Sequence, residues 1–221
     1  MRTEGQFSTS AKRSGTLRSV GITPKQFEAM KSRVSGAKRV VAPVFQSGYR
    51  PWSNGPQVII GIDPSLRGTG FGVLRVAKPH PKALAHGTIH CPAGWERSRC
   101  LVRIVETLRE LVKQHRPAVC VVEGLFYAQN LQTALLMGEA RGAALAAVAE
   151  SGLEIYEIAP RKVKQAIVGY GGAQKSAVAK MVQRLLNLPE TPGPDAADAL
   201  ALALTQAQEN ARYRLSAPKR I

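Results

Sequence analysis

VIIGIDPSLRGTGFGVLRVAKPHPKALAHGTIH (58–90) holds three strand-like segments in succession. Residues 58–63 are a continuous apolar run that stops at Asp63, and 69–76 and 83–90 follow it across turns rich in Gly and Pro. Three strands joined by short turns predict an antiparallel meander. The acid that ends the first strand is the first of four that matter.

Downstream the period changes. Leu101, Ile104, Val105, Leu108, Leu111 and Val112 recur at spacings of three and four, one stripe of a helix that Arg116 and Pro117 terminate. Residues 118–123 read as a buried strand ending at Glu123. A long helix follows over 130–151, with Leu131, Leu135, Gly138, Gly142 and Leu145 on one face, where the glycines permit close approach of a sheet or another helix. A fifth strand (154–159), short helical pieces and a last helix from about Pro194 complete the pattern. The order predicts an α/β fold with a mixed five-stranded sheet flanked by helices, the ribonuclease H-like architecture.

The 221 residues suit one domain with an appendage, and 31 Lys and Arg against 15 Asp and Glu give a net charge of +16. Such an excess favours a polyanionic partner, nucleic acid before an anionic membrane surface. No apolar stretch approaches the roughly 20 residues of a membrane-spanning helix. Residues 1–56 hold ten Lys or Arg against Glu4 and Glu28, with many Ser, Gly and Thr, and read as a basic, disordered extension. Within it, 23–34 can form only a marginal isolated helix. The boundaries expected are 1–56 for the extension, 57–210 for the folded domain and 211–221 for a basic tail. An acid-poor, Ser- and Arg-containing N-terminus also resembles an organellar transit peptide, so a cytoplasmic location is expected with targeting left open. Cys91, Cys100 and Cys120 are widely spaced, with no CxxC and no histidines at ligand spacing, which points to a reducing compartment and no zinc.

Asp63 and Glu123 each end an apolar strand, and in an open α/β sheet strand ends are where ligand groups project. Asp195 and Asp198, in GPDAADALALAL, share a helix face. Pro192 and Pro194 place them in the first turn, where the helix dipole favours anions. Taken singly each acid has a plainer explanation: Asp63 before Pro64 makes a turn, and Asp195 and Asp198 suit any helix start. Only the set is specific. Four carboxylates brought together repel one another, and a pair of hard divalent cations relieves this and can drive phosphodiester hydrolysis.

The stretches GIDPSLRGTGFGVL (61–74), VVEGLFYAQNLQTALLMGEARGAAL (121–145), APRKVKQAIVGYGGAQKSAVAKMVQRLLNLP (159–189) and PDAADALALAL (194–204) resemble, in order, the motifs of the RuvC Holliday-junction resolvases. That resemblance implies a homodimeric endonuclease that makes paired symmetric nicks in four-way DNA junctions during recombination and repair. It implies two Mg²⁺ ions per site, with Mn²⁺ as an alternative, and the RuvA–RuvB branch-migration complex as a further partner. By the same likeness Asp63, Glu123, Asp195 and Asp198 are the metal-binding catalytic acids. Lys164 and Lys175 match basic residues near the cleaved strand, and Phe126 matches an aromatic set against junction bases; Tyr127 reads better as core. Arg67 and Arg161, with Arg97, Arg99 and Arg141, are candidates for backbone phosphates. Ser65 departs from the glycine that often follows Asp-Pro in the family. The helix over 130–151 is the candidate dimer contact. Two other functions stay open: a related nuclease acting on RNA or other branched DNA, and a noncatalytic nucleic-acid-binding protein.

Overall fold

The computed structural model describes residues 23–35, 57–124, 130–211 and 219–221. The chain divides into two units, 1–44 and 45–221; the boundary expected at 56/57 lies at the edge of the described residues. In the first unit, helix α1 (Pro24–Ser35) is opened by a capping box. The Thr23 N–H donates to Gln26 Oε1 at 2.9 Å, and the Gln26 N–H donates to Thr23 Oγ1 at 3.3 Å.

In the second unit the meander appears as β1 (Val58–Asp63), β2 (Gly68–Arg75) and β3 (Lys82–His90), each within a residue of its expected limits. Helix α2 (Arg97–His115) crosses to β4 (Val119–Glu123), which pairs parallel to β1. Helix α3 (Leu131–Ala149) leads to β5 (Glu154–Ile158), parallel to β4. Helices α4 (Pro160–Val168), α5 (Lys175–Leu186) and α6 (Pro194–Ala211) follow. The sheet order is β3-β2-β1-β4-β5-β6, so β1 and β4 are adjacent and central.

The sixth strand was not expected. β6 (Lys219–Arg220) comes from the basic C-terminus and pairs antiparallel with β5, where Arg220 Nη1 lies 3.2 Å from Glu154 Oε1. The open edge of β5 and the Glu154 carboxylate supply the reason, since Lys-Arg has no strand preference of its own.

Alternation along the strands divides the core into two layers. Ile60, Ile62 and Val73 face the side packed by Ile104 and Leu108 of α2 and by Ala140, Ala144 and Val148 of α3. Ile59, Leu74, Val119 and Val121 face the side packed by α4, α5 and the run from Leu200 to Leu204 of α6. Helix α6 lies unusually close to the sheet because β1 and β2 present glycines beneath it. A Cβ on Gly61 would overlap the Ala199 carbonyl, and one on Gly70 would overlap the Asp195 carbonyl. Gly61 pairs with Gly72 and Asp63 with Gly70, so these positions share one face. Burial of Ala196, Ala197, Ala199 and Leu200 follows from that contact. Among the described residues no helix is long and apolar enough to cross a membrane.

Candidate active site

Asp63 closes β1 and Glu123 closes β4, and the register pairs the residues just before them, Ile62 with Val122. Because side chains alternate, Asp63 follows Ile59 and Gly61, and Glu123 follows Val119 and Val121, onto the face that α6 covers. Helix α6 brings the other two acids there, Asp195 in its first turn and Asp198, expected in the same turn, just beyond it. Its entry is fixed by the Ala197 N–H, which donates to the Gly193 carbonyl at 2.8 Å. A Cβ on Gly68 would stand 3.0 Å from Asp195 Oδ2. The glycines on the face of β2 beneath α6 therefore let Asp195 and Asp198 reach the ends of β1 and β4. The turn after Asp63 is pinned by Thr69, whose hydroxyl donates to the Ser65 carbonyl at 2.6 Å and accepts from the Ser65 N–H at 3.2 Å. Ser65 thus serves through its backbone, where its departure from glycine costs nothing visible.

The electrostatics show that these acids share one environment. Burial first, then the charges of Glu123 and Asp198, push the Asp63 carboxyl from 3.8 up to about 7 against the pull of Lys175; Asp195 adds to the rise. Glu123 is raised by burial and by Asp198, opposed by Lys175, Lys164 and Arg141. Lys175, the first residue of α5, pairs with Asp198 at 2.7 Å, its side chain 72% exposed against 22% for the aspartate. That hydrogen bond, against a cost of burial, raises the ammonium above its ordinary value. Lys164 lies half-buried on α4, with its charge felt at Glu123. The acids and both lysines expected at the site are therefore brought into mutual electrostatic reach.

Arg141 and Arg67 are engaged within the fold, whereas Arg161, Arg97 and Arg99 are exposed. Arg141, read as a phosphate contact, is 7% exposed on the buried stripe of α3. Its Nη1 donates to the Glu123 carbonyl, and its Nη2 donates to Glu157 Oε2 at 2.5 Å. It braces the end of β4 from behind the sheet. Arg67 Nη1 donates to the carbonyls of Pro92 at 2.6 Å and Trp95 at 3.0 Å, and reaches Cys100 Sγ at 3.2 Å, so it anchors the segment after β3. Arg161 is exposed and lies along Gly171, where a Cβ would strike it. Arg97 faces Glu139 at 3.5 Å, and Arg99 stacks 4.0 Å over the Trp95 ring. Phe126 and Tyr127 lie outside the described residues.

Four hard carboxylate oxygen donors, two of them held above their ordinary protonation range by burial and mutual repulsion, have the chemistry of a site for a hard divalent cation. Among the described residues no three Asp, Glu, His or Cys side chains stand close enough together to hold a metal ion as they are placed. The Lys175 ammonium stands against Asp198 and carries part of the compensating charge.

Comparison with known proteins points one way. Residues 59–206 match the family described as crossover junction endodeoxyribonuclease RuvC. The chain is 44% identical over 152 residues to the enzyme of that name from Rubrobacter xylanophilus, covering 68% of this chain and 85% of the relative. It is 45% identical over 161 residues to the one from Alkalilimnicola ehrlichii, covering 71% and 96%. Among solved structures it resembles Thermus thermophilus RuvC in complex with a Holliday junction substrate, with TM-score 0.68, 34% identity, and coverage of 75% of this chain and 99% of that one.

Proposed function

Since the chain belongs to the RuvC family of crossover junction endodeoxyribonucleases, we propose that it is a Mg²⁺-dependent enzyme that resolves four-way DNA junctions by paired symmetric nicks. One observation supports this most directly: Asp63, Glu123, Asp195 and Asp198 come from three elements to one end of the central strands, where burial and the neighbouring acids raise the carboxyls of Asp63 and Glu123.

In this proposal the four acids hold the cations, Mg²⁺ by preference and Mn²⁺ as an alternative, and the bound metal supplies Lewis-acid activation of water and stabilisation of the leaving oxygen. The chain's own groups do the rest. Asp63, whose carboxyl is pushed up to about 7 by its surroundings, would have to be ionised to hold a cation. Lys175, largely in solvent, can turn from Asp198 to a phosphate oxygen and offset charge that develops during transfer. Lys164 holds positive charge beside Glu123. Arg141 keeps the Glu123 backbone in place from the far side of the sheet.

A two-fold dimer would set two such sites on opposed strands of a junction. Helix α3 offers the surface: Leu131 is 75% and Leu135 58% exposed, and a Cβ added at Gly138 or Gly142 would meet nothing within 4 Å. Incubating the protein with a mobile four-way junction, a linear duplex and a structured RNA, with and without Mg²⁺, tests the whole proposal. Paired, symmetric, metal-dependent nicks confined to the junction are expected. Equal cutting of duplex or RNA would replace junction resolution with a more general nuclease activity.

A further inference from the structure

A second cationic surface lies at the other end of the sheet from the acids. Two elements that begin at the candidate active site end there. Strand β2 runs from Gly68, beside Asp195, to Arg75, and α5 runs from Lys175, paired with Asp198, to Leu186. Between the β2–β3 turn and the end of α5 is a cleft of about 820 Å³. One wall carries Lys78, His80 and Lys82, the other Arg184, and Leu185 and Pro81 contribute apolar lining. Among the described residues no acid pairs with Lys78, Lys82 or Arg184, and no Asp or Glu lines the cleft. The closing carbonyls of α5, which would repel an anion, are already hydrogen-bonded: the Asn187 N–H donates to the Arg184 carbonyl and the Leu188 N–H to the Gln183 carbonyl.

The strands that join the two places carry no acids of their own. No Asp or Glu occurs from 64 to 95, a stretch that includes Arg67, Arg75, Lys78, Lys82 and three of the chain's four histidines. His86 and His90 are exposed on the edge strand β3, opposite Gly72 and Gly68. Strand β3 therefore runs from the Asp195 end to the cleft with no negative side chain. From its first to its last residue it spans about 27 Å, the length of roughly eight base pairs of duplex.

We propose that one duplex arm of the DNA lies along β3 and seats its phosphate backbone in the cleft of Lys78, Lys82 and Arg184, about eight base pairs from the point of cutting. This rests on junction cleavage being the activity. A duplex fits better than an acidic protein because β3, which carries no acid of its own, joins the cleft to the end of the sheet where the candidate cleavage site lies. The cleft would strengthen binding and fix the arm's direction without reading bases.

The test measures junction binding by the full-length protein without divalent cations, as a function of salt. Lys82→Glu/Arg184→Glu reverses one charge on each wall. Arg103→Glu/Lys113→Glu, two exposed positions on α2, changes net charge equally elsewhere. If the cleft holds two phosphates, the cleft variant's slope of log affinity against log salt falls by about 2, and the α2 variant's slope stays near wild type. Neutral methylphosphonates placed seven to ten base pairs from the branch point should weaken wild-type binding severalfold and the cleft variant hardly at all. Equal slopes for both variants, or equal sensitivity of wild type and cleft variant to the neutral phosphates, would overturn the proposal. So would a cleft variant that binds the junction normally yet loses an acidic protein partner. A wild type that cuts junctions normally under those outcomes leaves the proposed activity standing; one that neither binds nor cuts them removes both.

Discussion

Asp63 carries the sharpest consequence of a single residue. A carboxyl raised from 3.8 to about 7 binds a proton in the folded state that it has lost in the unfolded state, so between those values the native protein holds more protons. Stability without divalent cations should therefore fall as pH rises from about 4 to 7, by up to about 4 kcal/mol if the full shift is expressed. Asp63→Asn should remove most of that slope in denaturant unfolding, bind junctions, and leave them uncut. A variant that cut at the wild-type rate would remove Asp63 from the chemistry. Because Mg²⁺ binds the ionised form, its stabilising effect on the wild type should be larger at pH 8 than at pH 6, and much smaller in Asp63→Asn. Arg141 matters in another way. Arg141→Ala strips Glu157 and the Glu123 carbonyl of a buried partner, and should cost about 2–3 kcal/mol because Glu157 keeps some access to water. Arg141→Lys, with no fork to span both acceptors, should recover only part of it, as read by chemical denaturation.

At the level of elements, the contact between α6 and the β1–β2 pair decides whether the acids meet. Gly70→Ala should push the helix start off the sheet, lowering stability by about 3 kcal/mol and abolishing cutting together. Gly142→Ala, on the open face of α3, should instead stabilise the monomer by about 0.5–1 kcal/mol and weaken self-association if that face is the seam between two copies. Melting and sedimentation measurements on the pair distinguish the roles of the two glycines. Strand limits were legible because apolar runs stop at Asp63, Glu123 and the Gly- and Pro-rich turns. The convergence of the acids was legible too, since strand ends and a helix start are the places where an α/β fold exposes ligand groups. Glycine's part under α6 was not, because spacing alone does not tell which helix crosses which strand. The same holds for Arg141. An arginine with Ala140 and Ala144 on the buried stripe signals an inward guanidinium, yet in a chain this basic it reads first as a phosphate contact.

Over the whole molecule, charge and topology act together. The basic excess is not a uniform coat, since arginines 67 and 141 are engaged within the fold while the β2–β3 turn keeps its cations in solvent. Affinity for DNA should thus be much more sensitive to salt than fold stability is, a contrast that titration and melting at 50 and 200 mM salt would display. The last three residues have a different effect on the molecule. By pairing with β5 they close a border whose amides would otherwise be free to recruit strands from other molecules. Removing 219–221 should leave the melting point nearly unchanged but make concentrated solutions scatter light.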